Sequence, residues 1–164
     1  MALDGFLKFE GALKIEGESR QTGHEKEIEI QASSWSAFNH GSMHTGTGGG
    51  TEKGDFSDIN LSMRMDKAVP LLMTACASGE HFDKATITIR KAGGSDKVDY
   101  LVVDLEPVLI SQVSFSDASG SDGAMVSLSL NFAKITTKYK PQDEKGAAQA
   151  AITNSYDIPT GERA

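Results

Sequence analysis

Alternation of apolar and polar residues with a period of two recurs along this chain. It limits the fold more than any other feature, because it sends one set of side chains to each face of a strand. In KEIEIQA, Ile28, Ile30 and Ala32 face one way while Glu27, Glu29 and Gln31 face the other. In INLSMRM, Ile59, Leu61, Met63 and Met65 alternate with Asn60, Ser62 and Arg64. KATITIRKAGG alternates Ala85, Ile87 and Ile89 with Thr86, Thr88 and Arg90, and a turn is expected at Gly93-Gly94. VSLSLNF sets Val126, Leu128, Leu130 and Phe132 on one face; the apolar phase then slips by one to Ile135, which reads as a β-bulge near Ala133-Lys134. VDYLVVDLEPVLISQVSFS is apolar on both faces in its middle, as a curved strand covered on two sides would be. With a further strand around Phe6–Ile15, these segments predict a mainly β, antiparallel domain, a barrel or a tight sandwich.

One segment departs from the pattern. DKAVPLLMTACASG places Val69, Leu72, Met73 and Cys76 at i, i+3, i+4 and i+7, which predicts a helix over about 66–79 that plugs or flanks the barrel. Asp66 is the expected N-cap, Pro70 falls in the tolerated first turn and Gly79 is the expected C-cap. KPQDEKGAAQAA reads as a linker, and ITNSYDI as a final edge strand. At 164 residues the chain is expected to be a single domain, 1–164.

A net charge of −7 argues against nucleic acid as partner, because a phosphate backbone needs a basic footprint, and the 16 Lys and Arg are dispersed among acids. The N-terminus lacks the basic start and apolar run of a signal peptide, and no segment has the ~18 consecutive apolar residues of a membrane span. With Cys76 as the single cysteine, no intramolecular disulfide can form, which fits folding in a reducing compartment. The expectation is a protein made in the cytosol, without membrane insertion.

Residues 40–55, HGSMHTGTGGGTEKGD, invite three readings: a phosphate-binding loop, a metal loop, or an arm that reaches another molecule. A P-loop requires Lys directly after Gly; here Lys53 follows Glu52, and Glu52 and Asp55 would repel phosphate. His40 and His44 would align only on a helix, which Gly46, Gly48, Gly49 and Gly50 disfavour. Cys76, His81 and Asp83 could be arranged as nucleophile, base and orienting acid. Against this, Cys76 lies on the apolar stripe, where a free thiol behaves as a small hydrophobe, and His81 falls where the last helical carbonyls end. Trp35 reads as core. No constellation supports an enzyme, and neither a metal nor a cofactor is expected.

The non-core faces of several segments are small and neutral: Asn60 and Ser62, Thr86 and Thr88, and Ser127, Ser129 and Asn131. Solvated faces usually carry Lys and Glu. A neutral face fits a contact with a neighbour, the wall of a wet channel, or an unremarkable stretch of surface.

The order of these pieces resembles the Hcp family, the haemolysin-coregulated tube protein of the bacterial type VI secretion system. The matching residues are GES at Gly17–Ser19, His24, EIEIQASSWS, SMHTGTGGG, DKAVPLLMTACASGEHF, ATITIRKAGG, YLVVDLEPVLISQVS and LNFAKITTKYKPQD. The resemblance implies a barrel-like domain of two sheets with one flanking helix and an extended Gly-rich loop. It implies homohexameric rings that stack into a hollow tube, assembled in the bacterial cytoplasm with sheath, baseplate and spike components. The tube is then exported without a cleaved signal peptide, with effector proteins in its lumen. It assigns Gly41, Ser42, Met43, His44, Thr45, Gly46 and Thr47 to contacts between subunits and rings. Thr86, Thr88, Ser127, Ser129 and Asn131 become candidates for a lumen or interface face. From the residues alone, a monomeric β-barrel carrier of a small ligand remains the alternative.

Overall fold

A computed structural model describes residues 3–44, 53–91, 97–120 and 123–163. In chain order its elements are β1 (Leu3–Glu10), β2 (Ile28–Ser34), β3 (Ala37–Phe38), β4 (Asp55–Phe56), β5 (Ile59–Arg64), α1 (Val69–Ser78), β6 (His81–Phe82), β7 (Lys84–Lys91), β8 (Val98–Ser116), β9 (Met125–Tyr139), β10 (Ile152–Asp157) and β11 (Glu162–Arg163). One antiparallel sheet runs β11-β10-β9-β5-β2-β1-β7-β8-β6, and β8 pairs again with β9. That second pairing closes β9, β5, β2, β1, β7 and β8 into a barrel, and β3 with β4 forms a separate two-stranded sheet. The fold is mainly β, antiparallel and barrel-like, with one helix among the described residues.

Inward residues meet in one core: Leu7 and Phe9, Ile28 and Ile30, Ile59, Leu61 and Met63, Ile87, Val103 and Leu105, and Val126, Leu128 and Leu130. β1 ends at Glu10, short of the expected Ile15, which is nonetheless buried from the following loop. Ala32 leaves the core face because β2 shifts register against β5 between Ile30 and Ala32, which makes Gln31 a bulge residue. Met65 lies beyond the end of β5 and is exposed. In β7 the alternation of side chains continues but burial changes at its end: outward Thr88 and Arg90 are buried, beside the loop that carries Thr22 and His24, and Ile89 is only half-buried.

The phase slip at Ala133-Lys134 is not a bulge. The β8–β9 register runs unbroken from Leu105↔Ile135 through Glu106↔Lys134 to Val108↔Phe132, and both strands move their apolar residues by three at this point. Here both strands exchange their second neighbour: β8 passes from β7 to β6 and β9 from β10 to β5. The two-stranded ribbon turns over as a unit, which keeps the ladder intact. True bulges lie elsewhere, at Tyr100 against β7 and at Ser111 against β9.

α1 begins at Val69, later than expected, with Ala68 as its N-cap. Asp66 instead closes the turn before it, its Oδ1 accepting from the Ala68 N–H at 2.8 Å. Gly79 ends the helix in the left-handed region (φ 69°), as expected. Val69, Leu72 and Ala75 form the buried stripe, Cys76 is half-buried and Met73 points outward. The Gly93-Gly94 turn lies outside the described residues.

Candidate functional site

The neutral residues do not form one face. β7 carries Thr86 and Thr88 on one arc of the barrel exterior, and β9 carries Ser127, Ser129 and Asn131 on another. The second arc continues across four strands. Register places Ser34, Asn60, Ser129 and Gln112 in one row and Ala32, Ser62, Ser127 and Ser114 in the next. None of these side chains is charged. Ser129 donates to Asn60 Oδ1 at 2.7 Å. At one end, Asn131 Nδ2 and the bulged Ser111 both donate to Asp58, each at 2.8 Å. The bulge at Gln31 brings Ala32 onto this face and out of the core, so a break in pattern built part of the patch.

The first arc is a polar lattice. Asp104 accepts from Thr86 Oγ1 and from Lys138 Nζ, both at 2.9 Å, with Lys84 Nζ at 3.7 Å. Burial works against the charge on Asp104, but these hydrogen bonds outweigh it and hold the carboxyl below its ordinary value. Thr88 sits beside Phe6 and is 5% exposed, and Ser129 on the other arc is 9% exposed. Next to Thr88, the loop after β1 folds back onto the wall. His24 stacks on the Phe6 ring (4.3 Å between centroids) and contacts Glu27 and Asp99 through its two ring nitrogens at 2.8 and 3.0 Å. Arg90 donates to Asp99 at 2.6 Å and to the Thr22 carbonyl at 2.9 Å. Desolvation opposes the charge on Asp99, yet Arg90 and His24 hold its carboxyl below the usual range. This cluster gives Gly17–Ser19 and His24 a physical role that sequence could not assign, since His24 and Asp99 are 75 positions apart. Gly17 is needed for close approach: a Cβ there would lie 2.4 Å from the Glu27 carbonyl oxygen.

The Gly-rich arm leaves the barrel between β3 and β4, which pair Ala37 with Phe56 and Phe38 with Asp55. Of the arm residues, Gly41, Ser42, Met43 and His44 are described, while Thr45, Gly46 and Thr47 lie outside the described residues. Met43 is 81% exposed. The base of the arm rests on aromatic contacts of Phe56 with Tyr156 (5.7 Å) and Phe132 (6.1 Å).

Cys76 packs against the core while His81 belongs to β6, opposite Leu109, and Asp83 is exposed. The backbone closing α1 is Glu80 N–H to the Ala75 carbonyl, so His81 is not the group that satisfies it. Among the described residues, no cluster of His, Cys, Asp and Glu has the arrangement of a metal site, and no helix is long and apolar enough to cross a membrane.

A family model described as "Type VI secretion system effector, Hcp" matches residues 6–139. The chain is 42% identical to protein hcp1 of Pseudomonas aeruginosa over 147 residues, covering 90% of this chain and 89% of that protein. Among solved structures it is similar to a type six secretion system protein (29% identity, TM-score 0.92, 99% of this chain and 100% of the other). It is also similar to Hcp1 from Salmonella typhimurium (28% identity, TM-score 0.80, 100% of both chains). The barrel with its flanking helix α1, together with a match over most of its length, places this chain in the Hcp family of type VI secretion proteins.

Proposed function

We propose that this chain is a structural, non-catalytic subunit of the type VI inner tube, one domain that closes into hexameric rings stacked around a lumen carrying effectors. The observation that carries this reading is the uncharged two-row band across β2, β5, β9 and β8, bounded by Asp58 at one end and Arg64 at the other. A conduit wall must pass varied proteins without holding them. Small neutral hydroxyls and amides offer neither a strong field nor a large apolar surface to adhere to. Ser127, Ser129 and Asn131 belong to that wall; Thr86 and Thr88 belong to the structural lattice of the other arc. Gly41–Thr47 reaches the next ring, and sheath, baseplate and spike components are the expected outer partners. Assembly takes place in the cytoplasm, and export removes no signal peptide.

The carrier alternative needs an empty interior, whereas Leu7, Met63, Leu72, Ile87, Leu105 and Leu128 pack there at 0–1% exposure. Light scattering on the purified protein, with electron micrographs of the same sample, tests the proposal. A mass near six chains and annular particles are expected; monomers over a wide concentration range would overturn it.

A further inference from the structure

We propose that the C-terminal segment positions the Gly-rich arm, through a clamp between Lys53 and the turn that follows β10. The turn is closed by its own hydrogen bonds. Asp157 accepts from the Thr160 N–H through its carboxylate (3.1 Å) and from the Gly161 N–H through its carbonyl (2.8 Å). The Ile158 N–H donates to the Ala133 carbonyl at 2.9 Å, which pins the turn to the barrel wall. So held, the Pro159 carbonyl accepts from Lys53 Nζ at 2.5 Å, across 106 positions of sequence. Gly161 completes the seat. It adopts φ 72°, and a Cβ there would come within 3.3 Å of Lys53 Cε, so the lysine stem lies directly over it.

One residue further along, Gly54 is where both legs of the arm and the C-terminal strand converge. A Cβ at Gly54 would lie 3.5 Å from the Tyr156 hydroxyl and 3.7 Å from Asn39 Nδ2. The descending leg is therefore fixed by residues 156–161 and only then enters the short β3–β4 ladder. Two residue pairs of ladder define a direction poorly by themselves. A second anchor at Lys53 sets the angle at which the arm leaves the barrel.

The inference rests on the arm's proposed role between rings, and the experiment separates the two. Lys53→Met keeps the stem and removes the donor, Lys53→Arg restores a donor, and a chain ending at Ile158 removes the acceptor. Amide hydrogen exchange at Asn39–His44 and Lys53–Phe56 is followed alongside thermal unfolding, ring mass and tube formation. In Lys53→Met and in the shortened chain, exchange there should accelerate about two- to fivefold. Melting temperature and ring mass should hold while tube formation falls. Lys53→Arg should return exchange and tubes toward the parent. Unchanged exchange in both Lys53→Met and the shortened chain overturns the clamp, whatever happens to tubes. If exchange accelerates and tubes form normally, the clamp stands as a contact but its positioning role is overturned. If deleting the arm itself leaves tubes intact, the failure lies with the arm's proposed role.

Discussion

Two glycines show how far the meaning of a residue depends on its surroundings. Gly17 faces the backbone of Glu27 and Ile28, with a built Cβ 2.4 to 2.7 Å from their atoms, whereas a Cβ on Gly41 would meet nothing within 4 Å. Gly17→Ala should therefore cost about 1–3 kcal/mol by urea unfolding, because the loop must lift from the wall, while Gly41→Ala should be silent. The hydrogen-bonded carboxylates give a second test. Asp99 and Asp104 have folded values depressed below 3.8, so their stabilising contribution is present above the unfolded value and is lost as pH falls through the folded one. Stability should drop on acidification below about pH 4. Asp104→Asn should cost about 1–2 kcal/mol at neutral pH and flatten that drop; an unchanged acid limb would count against it. Asp66 works in the opposite sense. Burial raises its carboxyl, so its contribution is complete below the unfolded value and declines as pH rises through the folded one.

At the scale of elements, α1 and the arm make opposite demands. Leu72 is fully buried under the helix and Met73, one position on, is 38% exposed. Leu72→Ala should cost about 2–5 kcal/mol by chemical denaturation, and Met73→Ala close to nothing. Equal costs would mean that the helix is rotated about its axis. Among the described residues of the arm, Gly41–His44 contribute none to the core cluster. Replacing Gly41–Gly50 by a short Gly-Ser turn should move the melting temperature by less than about 2 °C, leave ring mass unchanged and abolish tubes in electron micrographs. Persistence of tubes would remove the arm from stacking.

For the whole molecule, the two exterior arcs predict different responses to the same bulky substitution. Ser127 is exposed on the uncharged face, whereas Thr88 is buried beside Phe6. Ser127→Trp should fold and form rings while retaining less cargo, since the added ring projects from the wall. Thr88→Trp has no room and should destabilise the monomer by about 1–3 kcal/mol, seen as a lower urea midpoint by circular dichroism. If both variants assemble and secrete like the parent, the uncharged arc is ordinary surface.

Side-chain parity along single segments, read from the sequence, determined the β class, the core residues Ile28, Ile30, Ile59, Leu61, Met63, Val126, Leu128 and Leu130, and the one helix with its Gly79 stop. These are local properties. Alternation and 3.6-residue spacing depend only on a residue's neighbours in the chain, so they survive without knowledge of the fold. Tertiary structure alone decided which strand lies beside which, and therefore where parity breaks. Gln31, Tyr100 and Ser111 bulge because their partner strands run on without an extra residue, and β8 and β9 turn over together because both change neighbours at one place. Sequence placed Thr88 and Ser129 in the same small neutral class. Both are buried, Thr88 beside Phe6 and Ser129 under its hydrogen bond to Asn60, and only the latter has exposed neutral neighbours, Ser127 and Asn131, on its own strand. Parity names the face on which a side chain emerges. What that face meets is set by contacts such as His24 with Asp99 and Lys53 with Pro159, which form only once distant segments have been brought together.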